Sequence, residues 1–183
     1  MKRVCLPIVV LLVTAACSTS EAEPASQATA SAGPSNPIAE YEPSEGHRAE
    51  VIEALQKLFD ALETGDEGLL RSVVDPSVVM HFSESRAGET TFGSSTLDGL
   101  ASRITSSDVP LIERMWDPVV VVNGALATIW TPYDFYAGTE FSHCGVDAAN
   151  LMNTPEGWRI VALSWTRLQP PDCDLHPDGP PAG

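Results

Sequence analysis

The spacing of apolar residues is mainly helical in the first half of the folding region and strand-like in the second, and that change limits the fold more than any other feature. From Glu50 to Thr64, residues Val51, Ile52, Leu55, Leu58, Phe59 and Leu62 recur at helical intervals, with Glu53, Gln56, Lys57 and Glu63 on the other side. This predicts an amphipathic helix. Gly65 suits the position after its last turn, and Asp66 can cap a second short helix carrying Leu69, Leu70, Val73 and Val74. Asp75-Pro76 stops that helix. Val78 to Phe82 alternates as a first strand, and Leu97, Leu100, Ala101 and Ile104 mark a third helix over Thr96 to Ser106.

From Leu111 onward the pattern becomes that of strands. Val119 to Val122 and Ala125 to Trp130 flank Asn123-Gly124, a pair that supplies the positive φ angles of a type I′ hairpin turn. Tyr133 to Tyr136 and Phe141 to Met152 form the next pair around Gly138, and Pro155-Glu156-Gly157 leads into a last strand, Trp158 to Leu168. Helices first and an antiparallel meander afterwards predict an α+β domain with its helices on one sheet face.

The chain has 183 residues, and only its middle can form this domain. Met1-Lys2-Arg3, the apolar run Val4 to Val13 and the small residues Thr14-Ala15-Ala16 have the three-part layout of an export signal. The run is too short for a bilayer-spanning helix, which needs about 20 residues. Thr14-Ala15-Ala16-Cys17 resembles a bacterial lipobox, with Thr14 where leucine is usual. The resemblance implies that Cys17 receives diacylglycerol and becomes the new N-terminus. Its several acyl chains, palmitate among them, give stable attachment where one chain is marginal. The other reading is an ordinary signal peptide with an incidental cysteine.

Ser18 to Glu45 holds almost no large apolar residue, so it cannot offset its ordering entropy and is expected to be a disordered tether. The expected organisation is a leader over 1–16, a lipidated cysteine and tether over 17–46, a folded domain over 47–168 and a proline-rich irregular tail over 169–183. Localisation follows from the leader: the cell envelope, anchored on the extracytoplasmic side of a bacterial membrane.

Formal net charge is −15, and losing Lys2 and Arg3 with the leader makes it more negative. Such a surface repels phosphate backbones, which argues against nucleic-acid binding. The sequence shows no zinc-ligand spacing, phosphate loop, Gly-x-Ser-x-Gly elbow or dinucleotide fingerprint. No cofactor is expected.

The order of elements, helices, strand, helix and long curved strands, resembles the cone-shaped nuclear transport factor 2-like fold. Local words carry the likeness: Phe59-Asp60-Ala61-Leu62, Gly65-Asp66 and Asp75-Pro76-Ser77-Val78, then Trp130 to Tyr136, Phe141 to Asp147 and Gly157 to Val161. The later ones are similar to the branch named SnoaL-like or for lumazine binding. The resemblance implies N-terminal helices packed on a strongly curved antiparallel sheet, a conical pocket, and in many members dimerisation. Superfamily enzymes include ketosteroid isomerase, scytalone dehydratase, limonene epoxide hydrolase and polyketide cyclases, while other members only bind, so fold does not select a reaction.

The candidate ligand-binding residues are Tyr133, His143, Asp147 and Trp165. His143 exchanges protons near neutral pH, and either a structural or a ligand-contacting role suits it. A two-residue Gly138-Thr139 turn would pair Asp134 with His143 and Tyr133 with Cys144, whereas a three-residue loop would bring Tyr133 beside His143. One residue of register exchanges the faces. His81 alternates with Met80 and Phe82 and can face the other way. Trp130, Trp158 and Trp165 read as core or dimer-face residues. Cys5 leaves with the leader. Cys144 and Cys173 either form a disulfide or remain a buried thiol and a free one.

The first functional reading is non-catalytic binding of a small apolar or aromatic ligand, with a possible homodimer and membrane attachment through the anchor. The alternative is a cofactor-free isomerase, dehydratase or epoxide hydrolase using His143, Tyr133 and an Asp.

Overall fold

The computed structural model describes residues 38–182. Cys17, the leader and most of the expected tether lie outside the described residues. A 3-10 turn spans Ala39–Tyr41 and helix α1 spans Glu45–Thr64. Ser44 caps α1 by accepting the His47 N–H at 3.3 Å. Its first turn is Glu45, Gly46 and His47, so helix is present there without any apolar periodicity. Arg48 ties this turn to the sheet layer by donating to the Pro118 carbonyl at 2.7 Å. Gly65 ends α1 at φ 68°, a left-handed conformation that suits glycine.

Helix α2 spans Glu67–Val73 behind the Asp66 cap, which accepts from the Leu69 N–H. Strands β1 (Val79–Arg86) and β2 (Glu89–Thr96) follow, then α3 (Leu97–Thr105), capped by Thr96. Strands β3 (Leu111–Met115), β4 (Val119–Asn123), β5 (Leu126–Ala137), β6 (Glu140–Thr154) and β7 (Gly157–Arg167) complete the domain. Sheet order is β2-β1-β7-β6-β5-β3, with β4 also on β5. All pairs are antiparallel except β1 with β7, which is parallel, so the predicted antiparallel sheet contains one parallel seam. Val51, Leu55, Leu58, Phe59 and Leu62 of α1 pack with Leu70, Val73, Ile104, Ile129, Leu151 and Ile160 in one core. Among the described residues no helix is long and apolar enough to cross a membrane.

Three local findings correct the sequence reading. Strand β2 was not expected, because Ser83 to Ser95 is polar and glycine-containing and alternates weakly. Its hairpin turns at Ala87-Gly88, where both φ angles are positive, 52° and 83°, as a type I′ turn requires. The β4–β5 hairpin turns one residue later than predicted. Asn123 still pairs with Leu126, and only Gly124 has positive φ, 60°, so Gly124-Ala125 has the φ signs of type II′.

The third correction concerns the β5–β6 register. The turn is the two-residue Gly138-Thr139 loop, but a bulge follows it, so Tyr136 pairs with Phe141 and Phe135 with His143, leaving Ser142 extra. Asp134 therefore pairs with Cys144 and Tyr133 with Gly145. Neither of the two registers considered from sequence is the one adopted.

The tail is irregular but held against the outer sheet face. Cys144 and Cys173 form a disulfide with Cα atoms 5.8 Å apart. Leu168 exchanges backbone hydrogen bonds with Cys144, and Gln169 Nε2 donates to the Ser142 carbonyl at 2.8 Å.

Candidate ligand cavity

The bulge at Ser142 decides which side chains meet. Because it advances β6 by one residue, Thr131, Tyr133 and Phe135 of β5 share the helix-facing side of the sheet with His143, Gly145 and Asp147 of β6. Glu113 of β3 pairs with Phe135, and Trp165 of β7 pairs with Asp147, so both join that side. Of these, Glu113, Tyr133, Phe135, His143, Asp147 and Trp165 line a cavity of about 310 Å³ with apolar walls that include Leu58, Leu62, Met80, Phe82, Leu100 and Leu163. All four expected ligand-binding residues line it. Asp134 does not, and His81 is exposed.

Asp134 is fully buried on the opposite face, where Arg114 donates to it through Nε at 3.0 Å and Nη2 at 2.6 Å. The His176 N–H donates to the same carboxylate at 3.0 Å, and Arg114 Nη1 reaches the Gly179 carbonyl at 2.8 Å. This ion pair thus fastens the tail to the sheet and takes no part in the cavity. Trp158 is core, with its indole N–H on Glu50 at 3.2 Å, while Trp130 is 55% exposed on the outer face.

Tyr133 is fully buried, and its hydroxyl donates to the Thr166 carbonyl at 2.8 Å. That carbonyl is available because the β6–β7 ladder is interrupted between Asp147–Trp165 and the Cys144–Leu168 bridge. There the Val146 N–H donates to the Thr166 hydroxyl at 3.0 Å instead of to backbone. A Cβ at residue 145 would overlap the Thr166 carbonyl and hydroxyl oxygens, so glycine is required opposite Tyr133. Burial first, then the nearby Glu113 and Asp147, raise the Tyr133 phenol far above its usual range. It is a neutral, already committed donor.

His143 is 7% exposed, stacked on Phe135 with centroids 4.9 Å apart and edge-on to Tyr133 at 5.7 Å. Its Nδ1 is 2.9 Å from the Ser142 hydroxyl. Burial, followed by the positive charges of Arg167, Arg103 and Arg86, lowers its pKa to about 3. At neutral pH it is an uncharged ring in the cavity wall and not a proton reservoir.

Proton chemistry belongs instead to a pair of carboxyls, one of which the sequence reading missed. Glu113 and Asp147 share a hydrogen bond. Burial pushes Asp147 up to about 7, although the Glu113 hydrogen bond pulls the other way. Glu113 is driven well above the usual carboxylate range by burial and then by the charge of Asp147. The pair therefore retains a shared proton around neutrality. Leu111, Glu113 and Met115 alternate in β3, and an acid between two apolar residues on one strand face was the available signal.

A pH dependence follows. Raised carboxyl pKa values mean that the folded chain binds more protons than the unfolded one, so this stabilisation fades as pH rises from about 4.5 through 7. His143 acts oppositely: the unfolded chain takes up a proton near 6.5 and the folded chain only near 3, so its penalty appears as pH falls below 6.5. Glu113→Gln keeps a neutral donor beside Asp147. We expect wild type to lose stability relative to Glu113→Gln between pH 5 and pH 8, measured as urea midpoints. Midpoints that move in parallel would contradict a shared proton.

No family model matches the sequence, and no curated protein matches it closely enough to count. Solved structures do. A nuclear transport factor 2-like superfamily protein from Salmonella enterica is 16% identical, covering 68% of this chain and 92% of that one at a TM-score of 0.54. The fold is the nuclear transport factor 2-like fold. A protein of that type from Cytophaga hutchinsonii is 14% identical over 66% of this chain and 98% of its own, TM-score 0.53. A candidate dehydratase of the same group from Streptomyces avermitilis is 16% identical over 68% and 97%, TM-score 0.51. At these identities the likeness carries the nuclear transport factor 2-like architecture alone, and the chemistry must come from the cavity.

Proposed function

We propose that this domain is a binding module for a small apolar or aromatic ligand, held at the extracytoplasmic side of a bacterial membrane by a lipidated Cys17. The observation that carries the binding reading is the cavity itself: about 310 Å³, mostly apolar and aromatic, with a few convergent polar groups. That combination is the usual form of a small-molecule site. The anchor rests on the lipobox-like leader, and the narrower SnoaL-like or lumazine-binding placement rests on the sequence words.

Leu100 of α3 is half-buried at the cavity wall, so a larger side chain there occupies ligand space without disturbing the deepest core. The full-length protein in detergent is titrated with 2-naphthol, against matched detergent blanks, by tryptophan fluorescence. We expect saturable binding that weakens at least about tenfold in Leu100→Trp, the effect of displacing a buried ring. Equal titrations of the two proteins would reject the cavity as the site.

A catalytic reading is favoured by one observation, the proton-sharing Glu113–Asp147 pair, which can accept and return a proton. It replaces the Tyr133 and His143 roles anticipated from sequence. Its test is deuterium exchange at the carbons beside the carbonyl of 2-tetralone, followed by NMR. Exchange no faster than with Asp147→Asn removes this reading. Homodimerisation is favoured by Val119, Leu126, Trp130 and Met152, exposed side by side on β4, β5 and β6. Sedimentation equilibrium of wild type and Trp130→Glu checks it, with a monomer expected only for the variant.

A further inference from the structure

Positive charge is scarce in this chain, whose net charge is −15, and most of its described arginines are tied to an acid or a carbonyl. Arg71, Arg86 and Arg114 have carboxylates at 2.7, 2.7 and 2.6 Å, while Arg48 and Arg159 donate to backbone carbonyls. Arg103 on α3 differs. Among the described residues it has neither a hydrogen bond nor an ion pair, although it lines the cavity. The exposed lining residues are Ser94 of β2 and Gly99 and Arg103 of α3, so the cavity opens between these two elements with Arg103 at its mouth.

A second guanidinium lines the same cavity. Arg167 is 18% exposed and lies 4.0 Å from the Phe82 ring centroid and 5.6 Å from that of Trp165. Its ion pair with Glu84 is long, 3.8 Å, and Glu84 has a closer partner in Arg86 at 2.7 Å. Burial and then the charge of Arg103 lower the Arg167 pKa, so the two cations act on each other. Asp98, also on α3, is engaged by Arg71 at 2.7 Å. The acids that line the cavity, Glu113 and Asp147, share a proton. Two arginines thus face one carboxyl pair that carries a single negative charge, which leaves the lining net positive in a chain that is strongly negative overall.

We propose that the cavity admits an organic anion, with its apolar body enclosed by the cone and a carboxylate head at the mouth, held by Arg103 with Arg167 behind it. The assignment rests on the ligand-binding reading above and narrows it. A guanidinium offers a carboxylate two parallel N–H donors. An anion there also relieves the repulsion between the two arginines. The rings beneath Arg167 hold its charge in place before ligand arrives. The acidic surface elsewhere repels anions, so the mouth is where one can approach.

The test uses 2-naphthoate and 2-naphthamide, which share ring and shape but differ in charge. Both are titrated by calorimetry into full-length wild type and Arg103→Gln in dodecyl maltoside, an uncharged detergent. Comparing the ratio of the two affinities between the proteins cancels partition into micelles. Arg103 is exposed, so glutamine leaves the packing of α3 as it is. The preference for naphthoate should fall at least about tenfold in Arg103→Gln, the worth of a charge-assisted hydrogen bond. Arg103→Lys should keep part of it, and added salt should weaken naphthoate more than naphthamide in wild type. An unchanged ratio, with both compounds bound, overturns the anion assignment and leaves the ligand-binding reading intact. Binding of naphthamide alone does the same. Binding of neither compound overturns both.

Discussion

Replacing Arg114 by Met is expected to cost about 3–5 kcal/mol of stability, far more than the loss of a surface ion pair. Asp134 is fully buried, and the Arg114 side chain is 19% exposed. Two of the three hydrogen bonds to the carboxylate come from Arg114, the third from the His176 N–H. Methionine fills much of the same space but leaves a buried negative charge with one donor. It also removes the donor to the Gly179 carbonyl, so the tail loosens where the ion pair held it. Urea denaturation measures the cost. The double variant Arg114→Met with Asp134→Leu should recover most of it, because removing both charges avoids an unpaired one. A single-variant cost under about 1 kcal/mol would mean that solvent screens the pair as it does at a surface.

The second large effect is expected at Gly145. Its replacement by Ala puts a methyl group where the Thr166 carbonyl and hydroxyl oxygens lie. Backbone is the main obstacle, so β7 must move away from β6, and the Tyr133 hydrogen bond to that carbonyl is lost with it. We expect about 3 kcal/mol, at the upper end of overpacking costs. Tyr133→Phe is the control, because it removes only the hydrogen bond, worth about 1 kcal/mol plus the exposed need of one carbonyl. Gly145→Ala and Tyr133→Phe losing equal stability in urea would show that the strands accommodate the methyl group without separating.

Gly145 and Ser142 also show why the site was only partly legible in the sequence. The helices were readable because Val51 through Leu62 and Leu97 through Ile104 each put a continuous apolar stripe on one face. The first turn of α1 was not, since its residues are held by the Ser44 cap and the Arg48 contact, which leave no periodic trace. Strand pairing was readable as far as the turns were. The Gly138-Thr139 loop was among the possibilities, but a bulge costs one residue and announces itself by no residue type. That residue, Ser142, moved Asp134 to the outer face and brought His143 beside Phe135 and Tyr133. Tyr133, His143, Asp147 and Trp165 stand out by residue type and line the cavity. Glu113 was overlooked because a single acid in a five-residue strand looks like a solvated side chain until its strand partner is known.

His143 illustrates a different limit. Its residue type suggested proton exchange near neutrality, but burial against two aromatic rings and three arginine charges keeps it uncharged. Environment, more than identity, assigns the proton to Glu113 and Asp147. A sequence names the groups that can titrate, and packing decides which of them do.

In the proposed binding reading, ligand enters the cone and does not merely adhere to the apolar outer face. Methyl NMR of the full-length protein titrated with 2-naphthol tests it most directly, because both surfaces carry reporters. Leu58, Leu62 and Leu163 line the cavity, while Val119 and Leu126 are exposed on the outer strands. Saturable shifts of the three inner leucines are expected, with Val119 and Leu126 unmoved. Shifts confined to Val119 and Leu126, with the inner leucines silent, would contradict it.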